Sequence, residues 1–352
     1  MPRHACGSID TRHSRTMNEI VVITGGTAGV GRATAERFAA AGAKLAILAR
    51  GEDRLAAAKT ELEKLGSPEV LTIPCDVAVA EEVFAAAAQI ENDLGPIDVW
   101  INNAMTTVFG RVQQISPAEF TRVTEVTYLG FVWGTRAALE HMMKRNRGTI
   151  VQVGSALAYR SIPLQSAYCG AKHAMVGFTD SLRSELIHDG HDIHLTCVHL
   201  PAVNTPQFGW CENKLDFEAQ PVPPIYEPEV IARAIFDAAH SKKREIYLGW
   251  PTVKAIFGQQ LAPGFADRYL AKHFDDQFTK RPHEDKPRNL WKPVPKDVAA
   301  HGTFDARAKS SSFIARATTL LGARGVTTVF HTSVAALIAG TAYLAAKKLS
   351  KR

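Results

Sequence analysis

The chain has 352 residues, of which 46% are hydrophobic, enough to bury one large core with appendages. A formal charge of +6 is mild, and the excess sits mostly at the ends, in Arg3, Arg12 and Arg15 and in Lys347, Lys348, Lys351 and Arg352, which argues against a nucleic-acid surface. Five cysteines, Cys6, Cys75, Cys169, Cys197 and Cys211, are odd in number and lack Cys-x-x-Cys spacing. They exclude a disulfide framework and point to a reducing, cytoplasmic setting.

Residues 1–17 form a basic stretch without the apolar run of a signal peptide and are expected to be a disordered tail. Folding begins with the β-branched run up to Ile23, read as a buried strand, followed by Thr24-Gly25-Gly26-Thr27-Ala28-Gly29-Val30-Gly31 and a helix to about residue 41. A glycine turn between a strand and a helix N-terminus presents free N–H groups suited to a dinucleotide pyrophosphate. Further strand-like runs at 44–48, 70–74, 97–101, 149–153, 194–199 and 245–248 alternate with helical stretches. That alternation predicts an α/β fold, a doubly wound parallel sheet of Rossmann type in three layers with a helical or irregular C-terminal extension. Ligands in such sheets bind at the carboxyl ends of the strands.

Tyr168 and Lys172 are four residues apart, so a helix stacks them on one face. A neighbouring ammonium stabilises a phenolate and makes tyrosine a usable proton donor and acceptor near neutral pH. Ser155 lies thirteen residues before Tyr168. With the glycine loop, Asp76 before Val77, Asn102-Asn103-Ala104, and Pro201 through Thr205, these motifs resemble those of the short-chain dehydrogenase/reductase family, in its order, over about two thirds of the chain.

The resemblance implies hydride transfer between nicotinamide and a carbonyl or carbinol carbon. Tyr168 would be the general acid, Ser155 would hold the substrate oxygen, and Lys172 would lower the tyrosine pKa and bind the nicotinamide ribose. It further implies cofactor contacts from Thr24, Gly25, Thr27, Gly29, Val30 and Gly31. Asp76 would bond the adenine amino group with Val77 beside it, Asn102 and Ala104 would line the adenosine side, and Pro201, Val203 and Thr205 the nicotinamide end. At the close of the second strand Ala49 stands where a carboxylate would select NAD, and Arg50 follows, which favours NADP(H) over NAD(H). Three positions depart from the family pattern. Thr127 stands where an asparagine supports a proton-relay water, which its hydroxyl as a partial catalytic substitute or its backbone carbonyl would hold; Met105 stands where a glycine is usual, and Ala202 where a glycine commonly follows the proline. A catalytically weak nucleotide-binding scaffold or sensor therefore stays open beside the reductase, as does an epimerase or dehydratase.

The segment after Thr205, with Phe208, Trp210, Leu215, Phe217, Pro221, Pro223 and Pro224, is expected to form a lid over a hydrophobic ketone, aldehyde or alcohol, and Tyr159 and Gln165 are pocket-wall candidates. Four histidines, His188, His191, His194 and His199, run from a helix end into a strand and cannot share one face, so no metal site is expected. The catalytic domain is expected over 18–250, an extension or linker over 251–313 and a helix over 314–352. Residues 325–346 contain no Asp, Glu, Lys or Arg, a stretch of roughly 33 Å as a helix. Two readings stay open for it: a membrane-associated, peripheral or tail-anchored segment, or a helix covering an apolar face of this chain or of a dimer mate. A homodimer or homotetramer is expected.

Overall fold

Seven apolar runs form one parallel sheet in the computed structural model, which describes residues 18–295 and 299–349. The strands are β1 (Ile20–Thr24), β2 (Lys44–Ala49), β3 (Val70–Pro74), β4 (Val99–Asn102), β5 (Gly148–Ser155), β6 (Ile193–Leu200) and β7 (Glu245–Tyr247), and their spatial order is β7-β6-β5-β4-β1-β2-β3. The order reverses at β1, so the crevice between the loops after β1 and β4 is the switch point where this architecture binds ligands. The expected tail at 1–17 lies outside the described residues.

Successive side chains on each strand serve opposite faces, and both faces are covered. Val21, Ile23, Leu45 and Ile47 pack with Phe38 and Ile235, whereas Val22, Ala46, Leu48 and Trp100 pack with Ile90 and Ile150. This explains why the strands read as continuous apolar runs and not as alternating ones. The first face carries α1 (Gly29–Ala39), α2 (Glu52–Lys64) and α7 (Pro228–Ala239); the second carries α3 (Ala80–Asp93), α5 (Gly130–Met142) and α6 (Ser166–His188). A helix α4 (Pro117–Thr124), with Ser116 and Glu119 forming a capping box, continues through a π-helical turn, Glu125–Leu129, into α5.

Beyond β7 the chain forms α8 (Gly249–Leu261) and α9 (Pro263–Lys272), then pairs Phe278–Pro282 antiparallel with Phe217–Ala219. The last helix, α10 (Phe313–Leu349), is kinked at Gly322, whose φ of 65° falls outside the helical range. An added Cβ there would press on Lys243 and on the Glu245 carbonyl. Past the kink, Ala323 and Val326 are buried with Tyr247, Val253 and Phe257, and the Phe330 ring stacks 4.0 Å from that of Phe257. The start of the charge-free run therefore covers an apolar face of this chain. No helix among the described residues is long and apolar enough to cross a membrane.

One buried polar knot fixes the second layer. Asn102 Oδ1 accepts from Trp100 Nε1 at 2.8 Å, while its Nδ2 donates to Thr135 Oγ1 and Gln152 Oε1 at 3.0 Å and to the Phe131 carbonyl. Gly134 leaves room for it, because a Cβ there would overlap both Asn102 and the Trp100 indole nitrogen. Gly134→Ala is expected to destabilise the fold by about 2 kcal/mol or more. Urea unfolding of the variant beside the wild type measures this, and an unchanged midpoint would contradict it.

Candidate active site

A cleft of about 680 Å³ runs along the carboxyl edge of the sheet. At its floor, Thr24 Oγ1 donates to the Ile101 carbonyl at 3.4 Å and accepts from the Asn103 and Ala104 N–H groups at 3.0 and 3.1 Å. Asn103 Nδ2 returns two bonds, to the carbonyls of Thr24 and Gly25. Gly25 adopts φ 67°, and a Cβ on Gly31 would collide with the Gly25 carbonyl and the Asn103 amide, so both glycines are required by geometry. Helix α1 starts with no side-chain cap and no acidic residue in its first turn, which suits an anion at its positive end.

Most of the expected residues come together here. Gly25, Thr27, Gly29, Val30, Gly31, Arg50, Asp76, Val77, Ala104, Ser155, Tyr168, Lys172, Pro201, Val203 and Thr205 all line the cleft. Two do not. Thr24 is consumed in the floor bonds just described, and Asn102 is fully buried in the knot behind β4. Its neighbour Asn103 faces the cleft instead, as the two-residue alternation of a strand dictates.

Ser155 ends β5 opposite Leu200, the last residue of β6, and Tyr168 and Lys172 stand in the first two turns of α6. The Ser155 hydroxyl accepts from the Leu157 N–H at 3.1 Å. Burial pushes the Tyr168 phenol well above its ordinary range, and a hydrogen bond with Ser155 pulls it partly back. Lys172, almost wholly buried, donates to the Val153 carbonyl at 2.7 Å, and its Nζ lies 4.2 Å from the Phe131 ring centre and 5.7 Å from that of Tyr168. Burial lowers the lysine to about 7.

Two departures from the family pattern acquire physical accounts. Thr127, inside the π turn, donates to the Thr106 carbonyl at 2.9 Å and accepts from the Thr106 N–H at 3.0 Å. Its hydroxyl ties the turn to the loop after β4 and spends its one proton there. Met105 lines the cleft without adopting positive φ, so the turn does not need the glycine that sequence reasoning asked for.

At the adenosine end, Asp76 Oδ2 pairs with Arg122 Nη2 at 2.5 Å and Oδ1 accepts from the Ala78 N–H at 3.1 Å, so both oxygens already have protein partners. Arg50 and Arg54 line the same end, and the Arg54 guanidinium lies 5.2 Å from the Trp210 ring centre. Arg50, Arg54 and Arg122 gather near Asp76, whose own N–H donates to a second carboxylate, Glu82 Oε2, at 2.7 Å. Arg54 and Arg122 were not singled out by sequence, although Arg54, one helical turn after Arg50, was within reach of a spacing argument.

The lid segment supplies Phe208, Trp210, Pro221 and Pro223 to the wall, joined by Gln165. Leu215 packs with Phe208 and Phe278 nearby, and Phe217 stacks on Phe278 outside the cleft. Helices α8 and α9 add Pro251, Ala255, Tyr269 and Leu270, which sequence reasoning missed because they follow the family core. Tyr159 is not a wall residue. Its hydroxyl donates to Glu245 Oε2 at 2.9 Å, Tyr247 donates to the same oxygen at 3.2 Å, and its ring lies 4.9 Å from His199.

His199 is completely buried beneath Ser155, with Nδ1 3.3 Å from the Ser155 carbonyl. A carbonyl can only accept, so Nδ1 carries the proton. Burial lowers His199 to about 4, and it stays neutral although Glu245 Oε2 is 3.9 Å from its Nε2. An unfolded histidine binds a proton near 6.5, so folding stability must fall as pH drops from about 6.5 towards 4. Urea unfolding across that range is expected to show the loss, and His199→Gln to reduce it; equal slopes for the two proteins would refute the assignment.

Comparison with known proteins gives a consistent picture. The profile of the family described as short chain dehydrogenase matches residues 19–214. The chain is 31% identical to the oxidoreductase YxnA of Bacillus subtilis, over 86% of this chain and 85% of that one. It is 32% identical to 17-beta-hydroxysteroid dehydrogenase 13 of Homo sapiens, over 77% and 88% of the two. Among solved structures, an alcohol dehydrogenase from Thermococcus sibiricus complexed with 5-hydroxy-NADP superposes with a TM-score of 0.53 at 29% identity, covering 62% of this chain and 88% of that one.

Proposed function

Because this chain belongs to the short-chain dehydrogenase/reductase family, an oxidoreductase family acting on CH–OH groups, we propose that it is an NADP(H)-dependent reductase or dehydrogenase of a hydrophobic ketone, aldehyde or alcohol. The observation that carries the cofactor choice is the charge at the adenosine end. Arg50 lines the cleft with its guanidinium bonded to backbone carbonyls, a cation matched to a 2′-phosphate where NAD would call for a carboxylate. The uncapped start of α1 fits the pyrophosphate, with Val30 and Gly31 at the helix end.

The bound dinucleotide would supply the hydride. The protein's own groups handle the oxygen and the proton. Tyr168 gives its phenolic proton to the substrate oxygen in reduction, and Ser155, already bonded to that phenol, donates to the same oxygen as charge develops on it. Lys172 is held by Val153 under the tyrosine, placed to reach ribose hydroxyls and to favour the phenolate. Thr127 holds the π turn. An apolar wall of Phe208, Pro221, Pro251, Ala255 and Leu270 favours a hydrophobic substrate and excludes water from the reacting atoms.

NADPH oxidation across a panel of ketones and aldehydes tests the activity. Tyr168→Phe is expected to cut turnover by about 100-fold or more while NADPH still binds. Tight NADPH binding without turnover on any panel member would favour the scaffold reading instead. Arg50→Ala is expected to weaken NADPH binding by about tenfold or more and to leave NADH nearly unchanged. Fluorescence titration of both dinucleotides decides it, and equal losses for the two would remove the phosphate assignment.

A further inference from the structure

The chain segment around Leu290 crosses the adenosine end of the cleft from well beyond residue 214, where the family match ends. Arg50 Nη1 donates to the carbonyls of Leu290 and Trp291 at 3.3 and 3.2 Å, and Nη2 donates to that of Asn289. Arg122 Nε donates to the Leu290 carbonyl at 3.2 Å, and the Asn289 N–H donates to the Trp210 carbonyl at 2.9 Å. Leu290 itself is fully buried among Val108, Ile115, Val123 and Ala167, the cluster against which Tyr168 also packs. The following Trp291 is 53% exposed, so the leucine is a single apolar anchor on an otherwise superficial segment. Farther on, the Ala299 carbonyl accepts from the Gly29 N–H at 3.0 Å, a second contact with the cofactor loop.

The chemistry of these contacts is selective. A carboxylate partner would cancel the charge of Arg50 and repel a phosphate, whereas three carbonyls orient the guanidinium and leave its charge intact. They use three of its five N–H donors and leave two for a ligand.

We infer that residues 289–291 are a strap of the dinucleotide site: the strap aligns Arg50 for a 2′-phosphate, and Leu290 must leave its socket before the dinucleotide can exchange. The alignment rests on the NADP(H) reading above; the fastening does not. Dissociation of NADPH from the full chain, followed by its fluorescence after mixing with excess NADP⁺, tests both. Leu290→Ala is expected to speed dissociation by about tenfold or more, and Leu290→Met, which refills the socket, to stay within about threefold of wild type. Equal rates for Leu290→Ala and wild type overturn the strap. Should the variants fail to fold, trypsin cleavage of wild type after Arg288 is the second measure. Saturating NADPH is expected to slow that cut, and an unchanged rate overturns the proposal. If wild type holds NADH in preference to NADPH, the alignment of Arg50 for phosphate falls and the strap is judged on NADH dissociation. Binding of neither dinucleotide overturns both.

Discussion

The tie between β1 and β4 is the constraint on which the rest of the site depends. Parallel strands end at the same edge with their last carbonyl and amide groups unpaired, and those groups must find partners before a loop can leave the sheet. Thr24 and Asn103 meet that need for both strands, through one hydroxyl and one amide. The glycine loop can then turn sharply between β1 and α1, and Val30 and Gly31 in the first turn of α1 line the cleft. Ser155, one strand further along the sheet, and Tyr168 on α6 are positioned from the same edge. A change at this tie would move the phosphate end and the chemical end together.

Much of this arrangement was legible because it rests on local rules. Apolar runs of four to eight residues separated by helical stretches identify a parallel sheet whatever the loops do, and a four-residue spacing on a helix fixes the relation of Tyr168 to Lys172. What escaped depends on direction and on distance along the chain. Asn102 and Asn103 differ only in which side of a strand end they face, and the motif cannot tell them apart. Tyr159 was assigned to the pocket by its place between Ser155 and Tyr168, but a buried carboxylate 86 residues away at Glu245 claimed its hydroxyl. Thr127 was judged as a substitute for an amide in a relay, when its partner is a backbone segment of 21 residues' separation. The apolar tail gave an ambiguous signal by nature, since a helix covering Phe257 and a helix entering lipid need the same residues.

The electrostatics of the cleft show how burial and pairing are balanced. Lys172 and His199 are both pulled towards neutrality by desolvation, one under the tyrosine and one under the serine. Glu245 behaves oppositely. Burial works to raise it, but a hydrogen bond from the Tyr159 hydroxyl and the charge of Arg244 help to hold it below the ordinary carboxylate range. At the far end of the cleft Arg50 is held by backbone carbonyls, while Arg122 pairs with Asp76.

The strap also has a place in time. A polypeptide leaves the ribosome from its N-terminus, so the sheet is complete in sequence once Tyr247 has emerged, before Leu290 or Ala299 exists outside. In that interval the nascent protein can own its glycine loop, its arginines and its serine, tyrosine and lysine while nothing lies across the cleft. A dinucleotide captured then would be enclosed by the chain as synthesis finishes, and the first occupant would be installed as part of folding, by a route that later molecules do not have.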